Sequence, residues 1–233
     1  MPRSTWVNLD EQRRERVLLA AMSEFGRRGY SGGSLNVIAR EAGVAKGSLF
    51  QYFEDKFDLF AHIAEHVSLS IYAALAPHLD RAEAEPGAGH GAGDGAGDAA
   101  SDAFLETFTR LVEVWIDYMS SHPLERGVTA ATNFELDPAI RLAVREPVHR
   151  LYAQALRPLF ADAIARGELA EETDVDALLS ITILLLPHLA LAPFEPGLDS
   201  ALVLYGTTKR VRTAHARRLV AVVISSASIG VAS

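Results

Sequence analysis

The chain contains no cysteine among its 233 residues, which excludes a disulfide framework and any thiolate-ligated zinc or iron–sulfur site. Its N-terminal residues, MPRSTWVNLDEQRRER, have no apolar stretch after their basic residues, which argues against a secretory signal. Long apolar runs are scarce. The run that comes nearest to a membrane-spanning segment, residues 175–192, contains Asp176, Pro187 and His188. That run is typical of a buried helix rather than a membrane span. We therefore expect a cytoplasmic chain with no membrane partner.

Fingerprints of catalysis are also missing. The sequence has no Gly-x-Ser-x-Gly elbow or Walker loop, and no strand precedes the glycines of GAGHGAGDGAGDAA. We expect no catalytic residue, no cofactor and no bound metal. One alternative stays open, because HIAEH at residues 62–66 matches the H-x-x-E-H pattern of a zinc hydrolase. In that alternative His62 and His66 bind the metal and Glu65 is the base, but the sequence places no third ligand.

Charge is distributed unevenly along the chain. The net charge is −8, yet residues 1–66 hold nine Lys/Arg and nine Asp/Glu, so the whole excess of acid lies beyond residue 66. Electrostatic repulsion therefore excludes nucleic acid from most of the surface, but not from the N-terminal part. Hydrophobic residues make up 49% of the chain, which is ample for a buried core.

Helical periodicity dominates throughout, and no segment alternates long enough to predict a strand. We therefore expect an all-α fold of about nine helices. In the first part the pattern predicts four helices. The first runs through residues 17–25 and closes near Gly26 and Gly29, and the second, at 35–42, is capped by Ser34 and stopped by Gly43. A short helix follows at about 45–52, and a long one begins at about Asp55.

A flexible loop is expected at residues 80–100, DRAEAEPGAGHGAGDGAGDAA, because this Gly/Ala/Asp-rich segment has too few apolar side chains to offset ordering entropy. It is either an insertion within one domain or a linker.

Five helices are predicted beyond this loop. The first is at 104–119, the second lies between Pro123 and Pro138, and the third is at 138–166 with a kink or break at Pro147 or Pro158. The last two are at 175–191, with a cap from Thr173 or Asp174, and at about 198–228.

Two short helices joined by a glycine turn and preceded by a longer helix are typical of a helix-turn-helix, whose second short helix lies in the major groove of DNA. Gly43 allows the turn and Val44 fills the space between the two helices. Gly47 removes a side chain where the backbone must approach DNA. The functional interpretation assigns Lys46, Ser48 and Gln51 to phosphates or base edges and Tyr52 and Lys56 to flanking phosphates.

Residues 13–60, RRERVLLAAMSEFGRRGYSGGSLNVIAREAGVAKGSLFQYFEDKFDLF, resemble the tetracycline-repressor (TetR) family of bacterial transcriptional regulators. The shared pattern is AA…F…GY…S…IA…AGV…KGSL…YF…K…L. The chain has Ala45 where the family commonly has Ser or Thr, Phe50 where it has Tyr, and Asn36-Val37 where it has Arg-Asp. The positions that the motif assigns to DNA are Ser34, Asn36, Ala45, Lys46, Gly47, Ser48, Phe50, Gln51, Tyr52 and Lys56.

The resemblance implies a homodimer with a helix-turn-helix domain at residues 1–54 and a ligand-binding and dimerisation domain at residues 55–233. It further implies a one-component regulator, expected to be a repressor, that binds a palindromic DNA operator and leaves it when a small-molecule effector binds. The last two helices would form a four-helix interface with a second copy. The alternatives are a small-molecule-binding or scaffold protein that keeps the helix-turn-helix only as structure, and the metal-dependent hydrolase. Whichever function holds, we expect the core rather than a contact surface for Leu35, Ile38, Val44, Leu49 and Phe53.

Polar and aromatic residues within the later apolar helices are candidates for an effector pocket, although each of them can equally be a core residue. They are Trp115, Tyr118, Met119, Asn133, Phe134, His149, Tyr152 and His188. The basic cluster KRVRTAHARR at residues 209–218 is either a second anion-binding patch or the solvated face of the last helix.

Overall fold

The computed structural model describes residues 2–84 and 96–227, with side chains for residues 2–79 and 104–224. The described residues form ten helices and no strand, which confirms the predicted all-α fold. The helices are α1 (Ser4–Val7), α2 (Glu11–Gly32), α3 (Leu35–Glu41), α4 (Lys46–Tyr52), α5 (Lys56–Ala84), α6 (Ala96–Ser121), α7 (Pro123–Asn133), α8 (Pro138–Ala165), α9 (Val175–Leu191) and α10 (Lys209–Ala227).

The helices divide into two compact units. The first unit comprises Met1–Ile71 and Met119–His149, and the second comprises Tyr72–Tyr118 and Arg150–Ser233. Helices α5 and α8 each contribute to both units. The predicted domain boundary between residues 54 and 55 separates a DNA-binding part from a ligand-binding part. The two compact units do not test that functional division, so it stays a prediction.

The first three predicted helices lie in the first unit as the sequence pattern indicates. Asp10 caps α2 by accepting the backbone N–H of Arg13 at 3.0 Å, and the left-handed conformation of Gly29 (φ 65°) interrupts the helix near its end. Gly43, with φ 66°, makes the turn between α3 and α4. Ser34 is the N-cap residue of α3, as predicted, but its hydroxyl makes no capping hydrogen bond; its backbone N–H donates to the buried carboxylate of Glu24 at 3.1 Å.

Helix α7 packs closely on α2 at a pair of glycines. A Cβ added to Gly26 would lie 3.1 Å from the carbonyl carbon of Gly127, and one added to Gly127 would lie 3.2 Å from the Cα of Gly26. A methyl group on either glycine would therefore be tighter than an ordinary contact and would require the facing backbone to move by a few tenths of an ångström. The sequence predicted both helices but not this contact, which joins residues about a hundred positions apart.

Aromatic side chains fill much of the second unit. Phe104 and Phe108 of α6 and Phe160 of α8 have ring centroids 5.8–5.9 Å apart, and Trp115 lies 5.3 Å from Tyr152. Gly167 (φ 72°) follows the end of α8, as predicted.

The sequence predicts a kink or a break at Pro147 or Pro158; α8 is a single helix through both prolines, so the break is not found, and the kink stays a prediction. Both prolines are exposed, and so are Ala143 and Gln154, one turn earlier in each case. Because those two carbonyls lack a backbone N–H partner and face solvent, water can satisfy them without ending the helix.

The C-terminal helices show one confirmed cap and one wrong boundary. The Asp174 carboxylate accepts the Ala177 N–H at 3.0 Å and caps α9. The helix predicted at 198–228 begins only at Lys209. The Asp199 carboxylate accepts backbone N–H groups from Ala201, Leu202 and Leu204, which holds the preceding segment in a turn.

Two sequence expectations concern less regular parts of the chain. Helix α5 reaches Ala84 and α6 begins at Ala96, so helix occupies both ends of the predicted 80–100 loop, and residues 85–95 lie outside the described residues. Within the described part, Lys56–Leu79 is the stretch with the length and mean hydropathy (1.3) of a membrane-crossing helix, whereas 175–191 is shorter. Phe60 and Ile63 are fully buried in the first unit, as expected for a core helix.

The glycine pair yields a stability prediction. Gly26→Ala should place a methyl group against the Gly127 backbone and lower the free energy of unfolding by about 1–3 kcal/mol. Urea unfolding followed by circular dichroism measures the effect. Gly47→Ala is the matched control, because no heavy atom lies within 4 Å of its added Cβ. Equal midpoints for the two variants would show that the close α2–α7 approach is wrong.

Candidate DNA-binding site

The centre of the candidate site is α4, which has one buried and one exposed side. Leu49 and Tyr52 are 2% and 5% exposed, and Phe53, directly after the helix, is 1% exposed. On the other side Lys46, Gly47, Phe50 and Gln51 are exposed, with Ala45 at their N-terminal end and Ser48 half-buried beside them. This is the arrangement that a reading helix requires.

Helix α3 and the turn support α4 from the inside. Ile38 is fully buried, while Leu35 and Val44 are only partly buried, so the predicted core of this region is correct for Ile38, Leu49 and Phe53 and less complete at the other two positions. The Val44 N–H donates to the Ala39 carbonyl at 2.9 Å, which fixes the turn. At the start of α3, Ser34 is half-buried and Asn36 is exposed.

The N-terminal segment holds the end of α4, a feature that the sequence did not predict. The last carbonyls of a helix have no partner within the helix. Here the Arg3 backbone N–H donates to the Tyr52 carbonyl at 2.9 Å, the Arg3 Nη1 donates to the Phe50 carbonyl at 2.8 Å, and the Thr5 hydroxyl donates to the Gln51 carbonyl.

Trp6 anchors this N-terminal segment. It is 3% exposed, and its ring lies 4.8 Å from Phe53, 5.8 Å from Tyr52 and 5.5 Å from His62, centroid to centroid. The one signal in the sequence is a tryptophan in a segment of mostly polar residues.

Tyr52 and Lys56 are placed differently from the other predicted contact residues. Tyr52 is buried against Trp6. The Lys56 ammonium donates to the carbonyls of Ser31 and Gly33, both at 3.3 Å, and lies 4.5 Å from the Tyr30 ring centroid. Both side chains thus help to hold the first unit together, and their contact with flanking phosphates stays a prediction.

A basic groove of about 430 Å³ lies between α2 and α3. Its lining residues are Glu24, Arg27, Arg28, Gly32, Ser34, Val37, Arg40 and Glu41. All three arginines are exposed, and Arg40 pairs with Glu41 at 2.9 Å. The groove adds positive charge beside Ser34, and the Arg27-Arg28 pair was the sequence signal that could have indicated it.

The HIAEH residues do not form a metal site with other described residues. Across the described parts of the chain, no group of three or more histidine, aspartate and glutamate side chains is placed to hold a metal ion. The His62 ring packs 5.6 Å from Phe53 as well as against Trp6, and burial lowers its pKa. Glu65 is exposed and His66 is half-buried.

Two of the predicted effector-binding residues in the second unit lie together. Trp115 and Tyr152 line a cavity of about 20 Å³ whose other walls are Tyr72, Leu75, Leu79, Phe108, Leu111, Val112, Ala155, Leu156 and Leu186. The Trp115 Nε1 is buried and has no hydrogen-bond partner among the described residues. Burial raises the pKa of Tyr152, and the nearby Tyr118 adds to that shift. Tyr118 does not line the cavity, and His188 is exposed on α9.

The other four candidates lie in the first unit. Asn133 and His149 both contact Arg145, which the sequence did not single out. Met119 is fully buried and Phe134 is 44% exposed. Four of the eight predicted residues therefore form two pairs, the aromatic Trp115 and Tyr152 in the second unit and the polar Asn133 and His149 in the first.

The basic cluster at 209–218 forms the first half of α10. Lys209 pairs with Asp117 at 2.7 Å, and the Arg212 Nη1 donates to the Thr207 carbonyl at 2.8 Å. Arg210, Arg217 and Arg218 are exposed. This placement matches the solvated helix face.

Comparison with known proteins adds a family to this geometry. Residues 17–63 match the family described as bacterial regulatory proteins, tetR family. The HTH-type transcriptional regulator AcrR of Shigella flexneri is 40% identical over 55 residues, 24% of this chain and 26% of that protein. The HTH-type transcriptional repressor BepR of Brucella suis biovar 1 (strain 1330) is 46% identical over 50 residues, 22% of this chain and 24% of that protein. The match thus spans about a quarter of these relatives.

Solved structures resemble the fold over nearly the whole chain. The fatty acid degradation regulator FadR from Bacillus halodurans has a TM-score of 0.64 at 17% identity, covering 97% of this chain and 98% of its own. FadR from Bacillus subtilis in complex with stearoyl-CoA has a TM-score of 0.65 at 14% identity, covering 91% and 97%. A putative tetR family transcription regulator from Shewanella sp. PV-4 has a TM-score of 0.64 at 19% identity, covering 93% and 98%. Residues 17–63 of this chain thus match the tetR family of bacterial regulatory proteins, and the likeness of its fold to solved structures extends over nearly the whole chain.

Proposed function

We propose that this protein is a one-component transcriptional regulator, acting in the cytoplasm without enzymatic activity, that binds an operator as a homodimer and represses transcription until a small-molecule effector releases it. The observation that carries the proposal is the two-sided α4, which buries Leu49 and exposes Lys46 and Gln51 within the segment that matches the tetR family. A palindromic operator follows from the symmetry of a dimer.

The exposed side of α4 offers three kinds of contact. Lys46 supplies positive charge for phosphates. Gln51 can form two hydrogen bonds with an adenine edge, one through the oxygen and one through the nitrogen of its side-chain amide. Phe50 is 41% exposed, and an aromatic ring without a hydroxyl suits the methyl group of thymine. Open space around Gly47 lets DNA approach the helix backbone closely.

Phosphate contacts on either side of α4 complete the proposed surface. Ser34 and Asn36 lie at the start of α3, where Ser34 is half-buried and Asn36 is exposed. The groove with Arg27, Arg28 and Arg40 continues this positive surface along α2. Such contacts fix the register of the protein on DNA without reading its sequence.

Exposed apolar side chains on α9 and α10 support the homodimer. Ile181, Leu184 and Leu185 on α9 are 41%, 62% and 41% exposed, and Val222 on α10 is 68% exposed. The two helices pack against each other within the second unit. A second copy of the same pair would cover these side chains in a four-helix interface.

The apolar cavity in the second unit is the proposed effector site. Its walls carry no charged residue, and the unpaired Trp115 Nε1 offers one hydrogen bond, so the site suits an apolar molecule with a hydrogen-bond acceptor. The FadR of Bacillus subtilis, whose structure is in complex with stearoyl-CoA, is a relative of the same fold whose ligand has a long apolar part.

The size of the cavity links binding to movement. At about 20 Å³ it holds roughly one water molecule, so an effector must displace the side chains of α6 and α8 that line it. A ligand that binds only the displaced arrangement shifts the protein toward it, which is the requirement for allosteric release.

DNA binding is tested by gel retardation with fragments from upstream of the protein's own gene. We expect a shift that weakens with rising salt. Lys46→Ala should weaken binding on all fragments and lower the salt slope by about one, whereas Gln51→Ala should cost about 1–3 kcal/mol at particular base pairs and change sequence preference. Arg210→Ala, which removes an exposed charge on α10, is the control. No shift at low salt would favour the scaffold protein instead.

Support of α4 by the N-terminal segment is tested with two hydroxyl deletions. Thr5→Ala removes the hydrogen bond to the Gln51 carbonyl and should weaken DNA binding by about 2–10-fold, the value of one hydrogen bond. Ser4→Ala, an exposed neighbour in α1, should leave binding unchanged. Fluorescence anisotropy with a labelled operator fragment gives both affinities. Equal affinities for the two variants would contradict the role of this cap.

The dimer surface is tested with two leucines of nearly equal exposure, Leu184 at 62% and Leu142 at 61%. Leu184→Glu should bury a charge in the proposed interface and weaken the dimer by more than about tenfold. Leu142→Glu, on α8 in the first unit, should leave it intact. Analytical ultracentrifugation measures the dissociation constants. A dimer that survives Leu184→Glu and is lost in Leu142→Glu would move the interface to α8.

A further inference from the structure

Arg145 is a half-buried cation with no acidic partner among the described residues. Its guanidinium donates to the Asn133 side-chain oxygen and meets His149 Nε2 at 2.6 Å. Neither partner carries negative charge in this arrangement. Arg141, one turn earlier on α8, adds like charge, and its own Nη1 donates to the Glu135 carbonyl at 2.9 Å.

The two neutral partners are held with their acceptor atoms toward the guanidinium. The Asn133 amide nitrogen donates to the Thr129 carbonyl at 2.8 Å, which turns the amide oxygen to Arg145. Burial, together with the charge of Arg145, lowers the pKa of His149, so the imidazole is neutral near pH 7 and its Nε2 accepts. The cluster therefore orients the guanidinium but leaves its charge uncompensated.

An uncompensated cation in this position is energetically costly. Burial and the charge of Arg141 both lower the pKa of Arg145, which means that the surroundings disfavour its charged form. An anion would reverse both effects. The guanidinium has five N–H donors in a planar fork, and those not used by Asn133 and His149 match a carboxylate or phosphate.

We propose that Arg145, oriented by Asn133 and His149, binds the anionic group of a ligand, a phosphate or a carboxylate, where the end of α7 meets α8. This site is distinct from the apolar cavity, whose lining residues all belong to the second unit. It goes beyond the proposed function and does not depend on DNA binding. Asn133 ends α7, the helix that packs on α2 through Gly26 and Gly127, so a bound anion would contact a helix that is directly joined to α2.

The test is titration of the full-length protein, without DNA, with inorganic phosphate and separately with acetate at constant ionic strength in chloride. Thermal unfolding and calorimetry follow binding. We expect saturable binding of at least one anion, weakened about tenfold or more in Arg145→Gln, since a charge-assisted hydrogen bond is lost. The preferred anion assigns the chemical class. Arg110→Gln, which removes an exposed charge paired with Glu113, should bind like the wild type.

Two results would overturn the site. One result is that the wild-type protein, compared with chloride at the same ionic strength, shows no saturable binding of phosphate or acetate. The other is that Arg145→Gln and Arg110→Gln bind the anions equally. If Arg145→Gln does not fold, Arg145→Lys keeps the charge without the planar fork and should bind the anions more weakly than the wild type; unchanged binding of both anions would contradict the proposal. Because no DNA is present, failure here leaves the proposed regulator intact, and absence of DNA binding leaves this site intact.

Discussion

The short helix α4 cannot hold its own shape, and the first unit is built around that constraint. It has seven residues, and isolated helices below about 12–15 residues are marginal in water. Its inner side is therefore fixed by burial of Leu49, its start by the turn at Gly43, and its end by Arg3 and Thr5. With these supports in place, the outer side is free to carry residues chosen for contact rather than for stability.

The same demand explains why residues from distant parts of the sequence belong to this unit. Lys56 joins the start of α5 to the turn before α3, and α7 lies against α2 where two glycines permit close approach. A close-packed contact of this kind transmits displacement, because its atoms have no space in which to absorb it. Helix α7 is therefore a physical route from its far end, near Arg145, to α2 and to the proposed DNA-binding helices α3, which packs on α2, and α4, which packs on α3.

Local patterns in the sequence were enough to predict the helix-turn-helix, since the burial of Ile38, Leu49 and Phe53 follows from helical spacing and the turn from one glycine. Contacts that join distant segments through backbone atoms leave no such pattern. Thr5 bonds to the carbonyl of Gln51, and any residue could supply that carbonyl. The late start of α10 was missed for a related reason, because Asp199 competes with the helix for backbone N–H groups. Residue type indicates which side chains suit an effector pocket. It does not indicate which of those residues lie in the same compact unit.

Charge and symmetry together set the affinity that such a protein can reach. The first 66 residues are neutral overall, so a single copy neutralises few phosphates and binds DNA weakly on its own. The acidic remainder repels DNA, which suppresses binding through any other surface. In the proposed dimer, two copies joined through α9 and α10 would add the binding free energies of two reading helices, and the second helix would bind at high effective concentration. On this proposal the exposed leucines of α9 are as necessary for operator binding as Lys46, although they would not touch DNA.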